Sequence, residues 1–230
     1  MGLKGRIKGI IPPRLLDAVL LTFPFLYATR LVRYETNLVP QGGIDELLEN
    51  LKATQDIAGD IIECGSSRCG GSAIMANWIK ARGLNKKVYA CDSFEGFDRD
   101  ELALETAAGK TSAPATAFTS TSLEYVLKKL NRLGLNDIVM PVKGYFQDTL
   151  PGLDHQYSLA LIDCDLKASM VYCATEIWPR LNRGGRLLFD DYTDPHFLGA
   201  REGVDEFVGL MGAEIAEHRL LGRLYLVVKS

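Results

Sequence analysis

Between residues 60 and 189, short apolar runs alternate with amphipathic stretches, and few folds accept that pattern. A strand covered on both faces reads as a continuous apolar run, whereas a helix laid over a sheet keeps one polar side. The runs fall at 60–64, 87–91, 137–142, 158–162 and 186–189. Amphipathic stretches at 71–81, 122–133 and 169–181 read as helices, with Ile74, Trp78 and Ile79 on the inward side of the first. This βαβ succession predicts an α/β fold, a parallel sheet with helices on both faces. A helix over 203–210 then precedes two last strands, 213–220 and 223–229, separated by Leu221-Gly222. So short a connection joins only antiparallel neighbours, so the sheet should end in a hairpin.

The 230 residues carry 26 Lys+Arg and 29 Asp+Glu, a formal net charge of −3. A nucleic-acid-binding domain is distinctly basic, so no nucleic-acid partner is expected. With 47% hydrophobic residues the chain supports a sizeable core and is not disordered. The five cysteines are odd in number and lack zinc-site spacing, which points to a reduced, cytoplasmic protein. Residues 1–55 read as a helical extension that ends in a helix over Gly43–Ala53. It carries Lys4, Arg6, Lys8 and Arg14 ahead of an apolar run, 15–32, which Asp17, Pro24 and Arg30 interrupt. A membrane span needs about 20 mostly apolar residues, so none is expected. The extension is expected to pack on the core or on a second subunit of a homo-oligomer, the competing reading being a membrane-surface contact. Residues 94–120 lack periodicity and read as a long functional loop, a lid.

After the first strand comes Glu63-Cys-Gly65-Ser-Ser-Arg68-Cys-Gly70-Gly71-Ser72, which opens a helix. Glycines there let the backbone turn and approach a ligand at a helix N-terminus. The dinucleotide pattern fails because Ser67 stands where its second glycine belongs, and the phosphate-loop pattern fails because Gly71 replaces its lysine. Glu63 disfavours a polyphosphate but suits the cationic sulfonium and amino groups of S-adenosylmethionine. Asp92, at the end of the second strand, is placed to accept hydrogen bonds from ribose hydroxyls.

Two acidic groups end the fourth and fifth strands: Asp163-Cys-Asp165 and Asp190-Asp191-Tyr192. Converging carboxylates repel one another without a cation, so Asp163, Asp190 and Asp191 are expected to hold Mg²⁺. Asp163 is the favoured base for a substrate hydroxyl, with His196 the alternative. Asp165 is expected to cap the following helix.

Several motifs recur in order: Glu63-Cys-Gly65 with Gly70-Gly71-Ser72, Asp92-Ser-Phe-Glu-Gly96, Gly144-Tyr-Phe-Gln-Asp-Thr-Leu-Pro151, Ile162-Asp-Cys-Asp165 and Asp190-Asp-Tyr192. Over residues 59–207 they resemble the macrocin O-methyltransferase family, metal-dependent enzymes that methylate sugar hydroxyls in antibiotic biosynthesis. The resemblance implies a Rossmann-like seven-stranded methyltransferase sheet closed by a C-terminal antiparallel hairpin, with residues 56–230 as the S-adenosylmethionine-dependent domain. It implies that Glu63, Gly65, Ser66, Arg68, Ser72, Asp92, Ser93, Phe94 and Phe146 hold the cofactor. It also implies Asp163, Asp190 and Asp191 as Mg²⁺ ligands, Asp163 as base, and a sugar or glycoside hydroxyl as acceptor. A catechol or phenol O-methyltransferase and a non-catalytic S-adenosylmethionine-binding module are the competing readings.

Overall fold

A computed structural model describes Glu35, Leu38 and residues 42–230. The apolar run at 15–32 therefore lies outside the described residues. Among the described residues the α-helices are α1 (Gly43–Ala53), α2 (Gly70–Arg82), α3 (Arg99–Ala107), α4 (Leu123–Leu133), α5 (Phe146–Thr149), α6 (Lys167–Ile177) and α7 (Leu198–Met211). The strands are β1 (Asp60–Cys64), β2 (Val88–Asp92), β3 (Val139–Lys143), β4 (Tyr157–Ile162), β5 (Leu181–Phe189), β6 (Ile215–Leu220) and β7 (Tyr225–Lys229). They form one seven-stranded sheet in the order β3-β2-β1-β4-β5-β7-β6. The first five strands run parallel, and β7 pairs antiparallel with both β5 and β6. The expected sheet and its terminal hairpin are both present.

Side chains alternate across a strand, so each apolar run feeds two cores. Ile61, Leu159, Leu161 and Leu188 face one side and meet Leu47 and Leu51 of α1, Ala76 of α2 and Leu130 of α4. Ile62, Ala160, Ile162 and Phe189 face the other and meet Met170 and Ile177 of α6 and Val204 and Phe207 of α7. Every residue of β4 is buried, as its uninterrupted apolarity requires. The helix α1 is thus seated in the same core as β1. Among the described residues no helix is long and apolar enough to cross a membrane.

Three elements differ from their expected form. Residues 94–120 contain the helix α3, whose start is fixed by Asp98 Oδ1 accepting from the Asp100 and Glu101 amides at 3.0 and 2.9 Å. Only Leu102 and Glu105 of α3 are buried, so it carries no apolar stripe to read. The helix α6 stops at Ile177, where Trp178-Pro179-Arg180 forms a 3₁₀ turn, and β5 begins at once at Leu181. The helix α7 starts at Leu198, five residues earlier than expected, through glycines that permit close approach. A Cβ on Gly203 would lie 3.0 Å from the Lys167 carbonyl oxygen.

Candidate active site

In a parallel sheet, ligands gather at the carboxyl ends of the strands, where the strand order reverses. Here the reversal lies between β1 and β4, and the turns that leave β1, β2, β3 and β4 line one cleft. Its lining includes Glu63, Gly65, Ser66, Asp92, Ser93, Phe146, Asp163 and Asp165. Backbone strain concentrates there. Ser67, Cys69, Phe94, Asp165 and Asp191 are non-glycine residues at positive φ, between 45° and 61°. Such conformations persist where the surroundings over-determine them, often at ligand sites. Gly65 is needed as glycine twice over: its φ is 88°, and a Cβ would stand 1.8 Å from the Asp163 carbonyl oxygen.

The cofactor half is built from the β1 and β2 turns. Glu63 is buried beneath the loop and accepts a hydrogen bond from the Ser72 hydroxyl. Burial pushes its carboxyl up to about 8, with the Ser72 bonds opposing and the Asp92 charge adding to the rise. Without a cation beside it, Glu63 therefore holds a proton near neutral pH. Asp92 ties two loops together: Oδ2 accepts from the Ser67 amide at 2.8 Å and Oδ1 from the Phe94 amide at 2.6 Å. Burial raises the Asp92 carboxyl and these two amides pull it back. The Ser93 hydroxyl donates to the Gly96 carbonyl at 2.6 Å and closes the β2 turn.

Three residues expected at the cofactor stand behind the lining. Ser72 reaches the cleft only through Glu63, and Phe94 is buried in the α1–α2–α4 core. The Arg68 guanidinium lies 4.4 Å above the Tyr125 ring, with Nε 3.4 Å from Glu35. Glu35 itself lines the cleft and pairs with Lys129, which is fully buried and donates to the Arg68 carbonyl at 2.7 Å. Neither Glu35 nor Lys129 belongs to a motif, so no local pattern marks them.

The acidic half is assembled from the turns after β4 and β5. Carboxylate oxygens of Asp163, Asp165 and Asp191 lie within 4.8 Å of one another. Asp190, expected as the third ligand, lies outside that group, where Asp165 stands instead: Arg223 Nη2 is 2.6 Å from Asp190 Oδ2 and 3.4 Å from Asp191 Oδ1. Asp165 is not the cap of α6. That position is Leu166, which offers no side-chain acceptor. Asp190 Oδ1 and Asp191 Oδ2 are buried without a hydrogen-bond partner. Burial, then the neighbouring carboxylates, raise Asp165 far above the usual range. Burial and the Asp190 charge push Asp191 up to about 7. Hard oxygen donors in excess, two of them orphaned, fit a small divalent cation. His196 is exposed and outside the cleft lining.

A family profile described as macrocin-O-methyltransferase (TylF) matches residues 42–213. The chain belongs to the macrocin O-methyltransferase family. A similar curated relative is the 8-demethyl-8-(2,3-dimethoxy-alpha-L-rhamnosyl)-tetracenomycin-C 4'-O-methyltransferase of Streptomyces olivaceus. It is 31% identical over 169 residues, covering 68% of this chain and 60% of that protein. The mycinamicin III 3''-O-methyltransferase of Micromonospora griseorubida is 32% identical over 158 residues, covering 66% of this chain and 61% of that one. The matched part of the chain thus spans about three fifths of the length of these macrocin O-methyltransferase relatives. Among solved structures, the O-methyltransferase NovP superposes with a TM-score of 0.69 at 21% identity, over 81% of this chain and 79% of that one. The calicheamicin methyltransferase CalS11 gives 0.65 at 19% identity, over 94% and 91%. These likenesses show the Rossmann-like O-methyltransferase fold for this member of the macrocin O-methyltransferase family.

Proposed function

We propose that the chain is an S-adenosylmethionine-dependent, Mg²⁺-dependent O-methyltransferase acting on a hydroxyl of a sugar or glycosylated small molecule. One observation carries the reading: a single cleft runs from the buried carboxylate of Glu63 to the carboxylates of Asp163 and Asp165. It offers a seat for a cationic cofactor beside a seat for a divalent cation. The names of the Streptomyces and Micromonospora relatives, one of them a rhamnosyl compound's methyltransferase, support a glycoside acceptor. When bound, the cofactor supplies an electrophilic methyl group, and the metal ion acidifies the acceptor hydroxyl.

The residues of the chain then divide the work. Glu63 balances the positive charge of the cofactor, and its own ionisation is completed by that charge. Asp92 keeps the Ser67 and Phe94 amides in place while its remaining lone pairs face ribose hydroxyls. Gly65, Ser66, Ser93 and Phe146 shape the walls. Asp163 and Asp191 are proposed ligands of the cation, with Asp165 a further donor in their group and Asp190, outside it, offering its unpartnered Oδ1. Arg223 orients Asp190. Asp163 receives the acceptor's proton. The five buried free thiols agree with a reducing, cytoplasmic setting, and residues 1–55 are proposed as an extension that packs on the core, as α1 does, or on a second subunit.

The test is transfer of labelled methyl groups to a panel of glycosides and catechols, with and without EDTA. Transfer to sugars that EDTA and Asp163→Asn both abolish supports the reading. Activity that survives both sinks the metal mechanism. Aromatic diols outcompeting sugars move the acceptor to the catechol class. Binding of S-adenosylhomocysteine with no transfer to any acceptor marks a binding module.

A further inference from the structure

The helix α6 leaves the acidic turn at 163–165 directly, and its first amides need acceptors. Its own N-cap supplies none. Acceptors come instead from α3, in a segment more than 60 residues earlier in the chain. Glu105 Oε1 accepts from the Lys167 amide at 3.1 Å. Glu101 Oε1 accepts from the Ser169 amide at 2.8 Å, and Glu101 Oε2 from the Ser169 hydroxyl at 2.6 Å. Four residues apart, the two glutamates share one face of α3. The positive end of the α6 dipole favours both charges.

The fold makes room for this contact. Glu105 is 7% exposed. On α7, Gly199 faces it so closely that a Cβ there would lie 2.2 Å from Glu105 Oε2. A second tie fastens the far end of the segment, where the Leu198 amide donates to the Lys110 carbonyl at 3.0 Å and Thr111 bridges Phe197. The same segment gives Phe97, Asp98 and Phe118 to the cleft wall, and Ser169, the residue that Glu101 grips, lines the cleft as well. With only Leu102 and Glu105 buried, α3 is held mainly by polar bonds, which break and re-form more readily than a packed apolar face.

We infer that Glu101 and Glu105 are positioning residues for the proposed reaction. By capping α6 in trans they lock the 163–165 turn and the 97–118 wall into a single arrangement. The inference rests on the reading of the cleft as a cofactor site. Its test combines hydrogen exchange on the full chain, with and without S-adenosylhomocysteine, and stopped-flow release of S-adenosylhomocysteine. Glu101→Ala is expected to speed exchange at 97–118 and at 163–170 together, and to speed release about fivefold, the scale of one lost hydrogen bond. Glu101→Gln, which keeps an acceptor oxygen, should restore most of both. Gly199→Ala, which displaces Glu105 from the opposite side without removing a charge, should reproduce the paired change. Faster exchange confined to 167–170, with the wall and the release rate unchanged, overturns the inference and leaves a local cap. Failure of the unaltered protein to bind S-adenosylhomocysteine overturns the cofactor reading instead. The paired exchange without cofactor still decides the positioning role on its own.

Discussion

The two halves of the cleft handle their carboxylates in opposite ways. In the cofactor half, Asp92 has an amide on each oxygen and Glu63 has the Ser72 hydroxyl, so the β1 and β2 turns hold their shape without a ligand. In the acidic half, Asp165 and Asp191 repel one another, Asp190 leans on Arg223, and two buried oxygens have no partner. Unpaired buried polar groups are costly. A half that satisfies itself is preorganised for its ligand. A half that does not is completed only by what it binds, here a proton or a cation.

The comparison breaks most visibly if metal and cofactor prove interdependent. Removal of the cation with EDTA, or Asp163→Asn, is expected to lower kcat/KM by about 10³-fold, the loss of several kcal/mol of charge stabilisation. Affinity for S-adenosylhomocysteine in calorimetry should stay within about twofold, because the side-chain hydrogen bonds of Glu63 and Asp92 come from Ser72, Ser67 and Phe94, none of them in the acidic turn. An equal loss of cofactor affinity would show that the halves are one unit.

A smaller effect is expected from the other side. Glu63→Gln keeps the shape of the buried group and removes its ability to ionise. It should weaken S-adenosylmethionine binding about 10²-fold, as for truncation of one partner of a buried charge pair. S-adenosylhomocysteine, which lacks the sulfonium charge, should lose less. Equal losses for the two ligands would place the cofactor's positive charge away from Glu63.

How far the chain announces this arrangement depends on the range of the contacts. The strands are legible because burial on both faces demands uninterrupted apolar runs, and the 158–162 run reappears within β4. The glycine loop is legible because only glycine suits Gly65 and Gly71, where a Cβ would meet Asp163 and Glu63. The helix α3 is hidden because a helix held by polar bonds has no periodic apolar face. Asp165 stands one residue before the cap position, and nothing local reveals that Glu101 and Glu105 supply the acceptors from 68 and 62 residues away. Arg223 meets Asp190 across 33 residues through the pairing of β5 with β7, a register that composition does not encode. Spacing along the chain finds the carboxylates; the sheet decides which of them share a site.

The smallest effect is also the most direct comparison of the halves, because it needs no acceptor. Glu63 is held up to about 8 and Asp191 to about 7 in the folded chain, both above their values in an unfolded one. Each group binds its proton more tightly when folded, so stability falls as pH rises from about 4 towards 8. Melting temperatures of the ligand-free protein should therefore drop from pH 5 to pH 8, and Glu63→Gln should flatten part of that slope. Mg²⁺ should remove a different part. At pH 5 the proton on Asp191 competes with the ion, which adds little, whereas at pH 8 Asp191 is ionised and the ion should raise the melting temperature by a few degrees, as expected for about 1 kcal/mol in a domain of this size. Additive effects of the substitution and the ion would mean that the two halves titrate independently. A Mg²⁺ effect that vanishes in Glu63→Gln would join them through the Asp163 carbonyl that Gly65 touches.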